Sequence, residues 1–304
     1  MKMRKGYSSV RGCVCDENQT IVNRAETRPH VSSPQSHNFD NQILYSDLLR
    51  ALIGIQRTCF LYNTRVTKPA DLIAYLFEGQ MNLLSGELYQ WMESSPRFTA
   101  FVETYRDKIR KKIRVTREPE SRLDLRGELE VAYCLLKDRR LAVSYEPYAS
   151  AKRRGPDFAV TYRANLVFNI EVARLRMEES RDNGIDIARK EERILRILLY
   201  KLGQMQPGMA NLLVIHTSSE LERLIDLDRL MQEIKTRVET KEPSFYEMSH
   251  YLNPAAFYKD FLRLSGILLW TADPQLWINK QARPSLDEKV LRLVSSLTSD
   301  ESPT

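Results

Sequence analysis

An acidic residue inside an apolar strand is the feature that most constrains how this chain of 304 residues folds. Glu171 stands between Ile170 and Val172 in the run Leu-Val-Phe-Asn-Ile-Glu-Val-Ala-Arg, which is typical of a buried strand. A carboxylate in such a strand needs a partner that compensates its charge. The candidates are an internal salt bridge with Arg174 or Arg126, and a functional site, which we favour.

A second acidic residue begins the preceding strand. Asp157 follows Gly155 and Pro156 and starts an apolar run that ends at Tyr162, from which a short polar connection leads to the strand of Glu171. The two strands are therefore expected to form a hairpin that brings both carboxylates together. Such a pair suits Mg²⁺, which keeps several waters and needs only one or two protein carboxylates. As an alternative, Asp157 is only a turn residue, since Pro-Asp is common in turns.

The order of the predicted elements indicates an α/β fold. We predict a helix over 125–137, strands over 141–145, 157–162 and 166–174, a helix over 185–205 and a strand over 211–216. An amphipathic helix ending near Val238, a strand over 264–270 and a closing helix around Val290 follow. The expected architecture is a mixed four- to five-stranded sheet flanked by helices.

The sequence divides into three regions. Residues 1–38 are polar without periodicity, which predicts a flexible arm, and residues 39–120 show helical periodicity. Residues 121–304 hold the predicted α/β domain with its C-terminal strand and helices. The basic N-terminus is not followed by an apolar segment, the four cysteines form no disulfide framework, and no apolar run is long enough to span a bilayer. We therefore expect a cytoplasmic protein without a membrane partner.

Basic residues cluster in two places. The net charge is +6, and a dense basic run over 106–126 includes Lys111 and Lys112. The second cluster stands directly before the Gly-Pro-Asp turn and consists of Lys152, Arg153 and Arg154. A solvated helix face and binding to the phosphates of nucleic acid explain such clusters equally well. Because the second cluster adjoins the predicted carboxylate pair, nucleic acid is the candidate partner.

Several short motifs resemble those of a known superfamily. In chain order they are Arg126-Gly127-Glu128-Leu129-Glu130-Val131-Ala132, Tyr145-Glu146-Pro147, Gly155-Pro156-Asp157-Phe158 and Ile170-Glu171-Val172-Ala173-Arg174. Over residues 123–217 they resemble the PD-(D/E)XK nuclease superfamily, which has the restriction-endonuclease-like fold. The resemblance implies that Asp157 and Glu171 are metal ligands and that Glu128 is the acidic residue of the preceding helix. The backbone carbonyl of Val172 is a further candidate ligand.

The chain departs from the family pattern at one position. The pattern has a lysine two residues after the second acidic residue, where this chain has Ala173. Some relatives carry the basic group elsewhere, and Lys201 in the following helix is the preferred replacement, with Lys190 and Arg174 as alternatives. Strand alternation directs Arg174 to the face opposite the second acidic residue. Lys201 and Gln204 also look like a pair found in some members, so Gln204 is expected to bind nucleic acid.

The leading hypothesis is a metal-dependent endonuclease that hydrolyses phosphodiester bonds with Mg²⁺ or Mn²⁺, in DNA rather than RNA. Asp157 and Glu171 would hold the metal, Glu128 would assist, and Lys201 or Arg174 would offset phosphate charge. One alternative is a catalytically inactive protein of this fold that binds nucleic acid. Another is a protein-interaction module whose helical N-terminal region is the interface. A homodimer is a candidate assembly, because dimers are common where both strands of a duplex are cut.

Overall fold

A mixed six-stranded β-sheet forms the centre of the computed structural model, which describes residues 67–116, 118–148, 155–163, 165–176, 187–217, 225–271 and 274–297. The strands lie side by side in chain order and are β1 (Leu141–Tyr145), β2 (Phe158–Tyr162), β3 (Leu166–Arg174), β4 (Ala210–His216), β5 (Leu264–Trp270) and β6 (Gln275–Ile278). Strands β1 to β3 pair antiparallel, β3 to β5 pair parallel, and β6 returns antiparallel. The pairing therefore changes at β3, the strand of Glu171.

Helices cover both faces of the sheet. In the described part of the chain they are α1 (Pro69–Phe77), α2 (Leu83–Ser94), α3 (Pro96–Val115), α4 (Pro119–Lys137), α5 (Ile187–Leu202), α6 (Leu227–Glu239), α7 (Pro243–Met248), α8 (Pro254–Phe261) and α9 (Glu288–Leu297). On one face, Leu129 of α4 joins Ile170 of β3 in a hydrophobic core. On the other face, Leu198 of α5 joins Leu213 of β4 in a second core. None of these described helices is long and apolar enough to cross a membrane.

The first three helices share the core of α4 and the sheet. Ser95 caps α3 by accepting a hydrogen bond from the Phe98 backbone N–H (3.2 Å). The apolar stripe of α3, which includes Phe98 and Ile109, is buried in the same core as α4. Farther along the same helix, Lys108 Nζ donates to the backbone carbonyl of Tyr145 at 3.0 Å. Helix α3 is therefore fixed against the end of β1.

The strands with strong sequence patterns have the predicted bounds. β1, β3 and β5 begin and end where the apolar pattern predicts, and the helices predicted at α4, α5, α6 and α9 are present. Helix α4 begins at Pro119 rather than at residue 125, because proline suits the first helical turn. The prediction of four to five strands is wrong, since the sheet has six; β6 has only four residues and gives no clear alternation. The predicted arm over 1–38 and the helical pattern before residue 67 lie outside the described residues.

Hydrogen bonds to β3 and β4 hold the residue Tyr148, which follows β1. Tyr148, just after β1, donates its hydroxyl to Asn169 Oδ1 (3.2 Å), and Asn169 Nδ2 donates to Asn211 Oδ1 in β4 (3.1 Å). A Cβ on Gly155 would lie 2.7 Å from the Cβ of Tyr148, so only glycine lets the returning chain pass this side chain. Gly155 therefore lies against Tyr148, two residues before Asp157.

Candidate active site

Asp157 and Glu171 meet where β2 pairs with β3. Phe158 lies opposite Ile170 in the antiparallel register, so Asp157, one residue earlier, falls opposite Glu171. The Val172 backbone N–H donates a hydrogen bond to Asp157 Oδ2 (2.8 Å), which ties this carboxyl to β3. The hairpin thus brings both predicted metal ligands and Val172 to one place.

Glu171 is a buried carboxylate whose partner is a lysine. Its exposed fraction is 2%, and Lys201 Nζ of α5 contacts its Oε1. Its other oxygen, Oε2, is buried and has no hydrogen-bond partner among the residues that the structure describes. Burial raises the pKa of the Glu171 carboxyl, and the charge of Lys201 opposes this rise. A buried acceptor with one unused oxygen is suited to a ligand that the protein does not itself supply.

The environment of Asp157 resists ionisation of its carboxyl. Burial is the largest cause that raises the pKa of Asp157 to about 6, and the charge of Glu171 adds to the rise. Lys201 and Lys112 lower this pKa, as does the hydrogen bond from Val172. Because two neighbouring carboxylates repel each other, a cation bound between them would favour the ionised form of both.

Glu128 brings a third carboxyl from the face of the sheet covered by α4. Lys112 Nζ and the Tyr145 hydroxyl both donate to its Oε2, at 2.7 and 2.9 Å. Lys112 also pairs with Glu146 Oε1 at 2.9 Å, so one lysine of α3 joins two acidic residues. Burial, followed by the charge of Asp157, raises the pKa of Glu128 to about 7, although Lys112 and Tyr145 oppose the rise. A carboxyl that titrates near neutral pH is suited to proton transfer.

A cleft of about 500 Å³ opens beside these groups, at the carboxyl ends of β3 and β4. Residues of α4 and α5 form its walls, and the ends of the two parallel strands lie between them. Its lining includes Glu128, Val172, Arg174, Tyr200, Lys201 and His216. Ligands of open α/β sheets bind in crevices outside the carboxyl ends of the strands, so this cleft is the natural approach for a substrate.

Two predicted site residues have other partners. Arg174 pairs with Glu120 and with Asp124 (Nε–Oδ1 3.0 Å), so it faces α4 rather than the carboxyl pair, as strand alternation predicts. Gln204 follows the last turn of α5, where its backbone N–H donates to the Lys201 carbonyl (3.0 Å). Within the described residues, the lining of the cleft includes Arg174 and does not include Gln204.

The basic run of α3 is largely engaged inside the molecule. Arg110 and Arg114 both pair with Glu78, and Lys112 lies in the candidate site. Lys111 is exposed. The loop cluster lies outside the described residues and consists of Lys152, Arg153 and Arg154. Phosphate binding by Lys111 and by the loop cluster therefore stays a prediction.

The sequence does not predict that two further residues, Lys112 and Tyr145, contact Glu128 in the site. Lys112 is predicted only as a phosphate-binding residue, and Tyr145 only as part of a motif. The signal for Lys112 is its spacing on α3, because it continues, at steps of three and four residues, a stripe that begins with two aromatic residues. That stripe consists of Phe101, Tyr105, Lys108 and Lys112. A lysine on a packed stripe must meet a counter-charge, which here is Glu128.

His216 also lines the cleft, at the end of β4. Its Nε2 lies 3.1 Å from Glu130 Oε2, while its Nδ1 is buried and has no hydrogen-bond partner in the described part of the chain. The sequence predicts a structural role for this histidine, and its contact with Glu130 agrees with that role.

The oxygen atoms at this site suit a hard divalent cation. Asp157, Glu171 and the Val172 carbonyl are the predicted ligands, and Mg²⁺ needs few protein ligands because it keeps several waters. The unpartnered Oε2 of Glu171 supports a cation at this point. Among the described residues, no three His, Cys, Asp or Glu side chains form a ready metal-binding group. Two of the carboxylates pair with lysines: Glu171 with Lys201, and Glu128 with Lys112.

Comparison with known proteins identifies no relative. The chain matched no family model, no curated protein and no solved structure.

Proposed function

We propose that this protein is a metal-dependent nuclease with the fold of the PD-(D/E)XK superfamily, acting on DNA. The proposal rests on one observation, the convergence of Asp157, Glu171 and Glu128, of which Glu128 lines the cleft. All three carboxyls have raised pKa values, chiefly because they are buried. Groups with perturbed pKa values cluster at functional sites, and a divalent cation would relieve the repulsion among these three.

The element order supports the same proposal. A helix with Glu128, an antiparallel meander with Asp157 and Glu171, a crossover helix and a parallel strand follow each other as the resemblance implies. Ala173 packs toward α5, the helix that carries Lys201. Lys201 contacts Glu171 from that side, so it replaces the lysine that the motif position lacks.

The residues of the site have different roles in phosphodiester hydrolysis. A bound Mg²⁺ or Mn²⁺, held by Asp157, Glu171 and the Val172 carbonyl, would supply charge stabilisation and lower the pKa of a water. Lys201 offsets negative charge on the phosphate oxygens. Glu128, whose pKa is raised to about 7, accepts a proton from the attacking water.

Cleavage of DNA by the purified protein tests this function. We expect cleavage of plasmid or single-stranded DNA with Mg²⁺ or Mn²⁺, and none with excess chelator. The rate should increase between about pH 6 and about pH 8, since Asp157 and Glu128 must lose protons and their pKa values are raised to about 6 and about 7. Cleavage that persists in chelator would contradict a metal-dependent mechanism.

A second function is favoured by one specific observation. Lys201 and Lys112 neutralise Glu171 and Glu128 without any metal. This arrangement, with Ala173 at the motif position, fits a protein of the same fold that binds nucleic acid without cleaving it. Such a protein would bind DNA with an affinity that falls as salt increases, and neither metal would produce cleavage.

A further inference from the structure

One wall of the cleft carries a basic and aromatic stripe that the hydrolysis itself does not use. Arg193, Arg196, Tyr200 and Lys201 of α5 all line the cleft. Their spacing of three, four and one residues places them along one face of the helix, over about 12 Å. The stripe ends at Lys201, which contacts Glu171, so it leads to the carboxyls.

The middle of this stripe is open to solvent. Tyr200 is 59% exposed, and a ring with that exposure can stack on another flat group. The Arg196 side chain is 66% exposed and pairs with Glu192 at 3.7 Å. Exposed pairs of this kind contribute little to stability. The Arg196 guanidinium can therefore exchange its partner for a phosphate.

The charge of the cleft favours an anion. Five basic and two acidic residues line it. Of the two acidic residues, Asp124 pairs with Arg174 at 3.0 Å and with Arg176 at 2.5 Å. The other, Glu128, pairs with Lys112 at 2.7 Å. Arg193 Nη1 donates to the Arg176 backbone carbonyl at 3.1 Å, which fixes its guanidinium against the end of β3. The wall opposite α5 is thus neutralised, and the arginines of α5 leave the cleft positive.

We infer that this stripe binds a single strand of DNA and delivers one of its phosphodiesters to the carboxyls, an inference that rests on the proposed nuclease function. Bases stack on Tyr200, and phosphates contact Arg193 and Arg196. The cleft, with about 500 Å³, has room for a ligand of about one or two nucleotides and not for a duplex. Glu171 is only 2% exposed and does not itself line the cleft, so a phosphate must enter the cleft to reach Lys201, which lines it and contacts Glu171. The substrate is therefore single-stranded, or opens before it is cut.

Binding of a labelled dT oligonucleotide of about 15 nucleotides to the full-length protein in excess chelator tests strand binding without cleavage. Tyr200→Ala is expected to weaken binding about tenfold, whereas Tyr200→Phe keeps the ring and is expected to bind like the wild type. Arg196→Ala should weaken binding and lower the slope of log K against log salt by about 0.7. Arg292→Ala is the matched control, because Arg292 is an exposed arginine of α9 that pairs with Glu288, one turn earlier, at 3.5 Å. It should leave binding unchanged.

Tighter binding of the single strand than of a duplex of the same length supports the inference. Equal affinity for the duplex, or an unchanged affinity in Tyr200→Ala, overturns it. An rU oligonucleotide bound to the exclusion of dT would overturn DNA as the ligand.

Different results would contradict the single-strand inference and the nuclease function. Strand binding that depends on Tyr200, without cleavage in Mg²⁺ or Mn²⁺, would remove the nuclease function and leave strand binding. Metal-dependent cleavage of duplex DNA that is unchanged in Tyr200→Ala would leave the nuclease function and remove the single-strand inference.

Discussion

Asp157→Asn is expected to reduce metal-dependent cleavage about a thousandfold or more, because a lost ligand carboxylate forfeits several kcal/mol of charge stabilisation. The amide oxygen can still accept the hydrogen bond from the Val172 backbone N–H, so the β2–β3 hairpin should persist. Single-turnover cleavage rates measure the loss. DNA affinity in chelator should change little, since the stripe on α5 is untouched.

The same substitution is expected to stabilise the metal-free protein. Burial and the charge of Glu171 raise the pKa of Asp157 from 3.8 to about 6. A raised pKa in the folded state means that stability falls as pH increases from about 4 to about 6, and above that the ionised carboxyl costs about 3 kcal/mol. Asparagine does not ionise, so at about pH 8 we expect a gain of about 2 kcal/mol in the free energy of unfolding. Tm should increase by about 3 °C, with no gain near pH 4.

Asp107→Asn is the matched control for both measurements. Asp107 is an exposed carboxylate of α3 whose partner is the Tyr75 hydroxyl (2.5 Å), and its substitution should change neither cleavage nor stability at about pH 8. Normal cleavage by Asp157→Asn would contradict the assignment of this residue. A loss of cleavage together with a loss of stability at about pH 8 would instead show that Asp157 is structural.

Lys201→Met is expected to reduce the cleavage rate about 10²- to 10³-fold, because a charge aimed at the reacting phosphate is lost. Methionine keeps the apolar stem of the side chain, so α5 should pack as before. Lys201 also opposes the rise in the pKa of Asp157, one of the two groups that must lose protons. Its loss should therefore move the rise of cleavage with pH toward higher pH, which a pH–rate profile measures.

Lys112→Met distinguishes the role of Lys112 from that of Lys201. Lys112 contacts Glu128 and Glu146 on one face of the sheet, whereas Lys201 approaches from the opposite face. We therefore expect a smaller loss of rate, about tenfold, through a higher pKa of Glu128, which Lys112 normally lowers. Equal losses in the two variants would contradict Lys201 as the displaced motif lysine, and an unchanged rate in Lys201→Met would exclude it from the chemistry.

The parts of the fold that could be predicted are those with a strong local pattern. The bounds of β1, β3 and β5 follow from apolar runs that end at turns, whereas β6 has no such run and is defined by its antiparallel pairing with β5. Helix α8 begins at Pro254 after the capping residue Asn253, a signal that the sequence contains and that the prediction did not use.

The candidate site was predictable to the extent that it follows from strand and helix periodicity. Glu171 in an apolar strand, Asp157 on its hairpin partner and Lys201 on the next helix all follow from such patterns, and the structure brings them together. The spacing of Lys112 on α3 predicts only that this lysine is packed, whereas its contact with Glu128 depends on how α3 packs against α4. The raised pKa of Glu128 likewise depends on burial by several elements at once.

The most direct test of a metal site formed by Asp157 and Glu171 is a calorimetric titration of Mn²⁺ into the metal-free protein. We predict saturable binding at about pH 8 that is lost in Asp157→Asn and in Glu171→Gln and kept in Asp107→Asn. Affinity should fall steeply near pH 5, because the pKa values of Asp157 and Glu128 are raised to about 6 and about 7 and protons then compete with the metal. Absence of saturable binding at about pH 8, or binding that both substitutions leave unchanged, would contradict the proposed site.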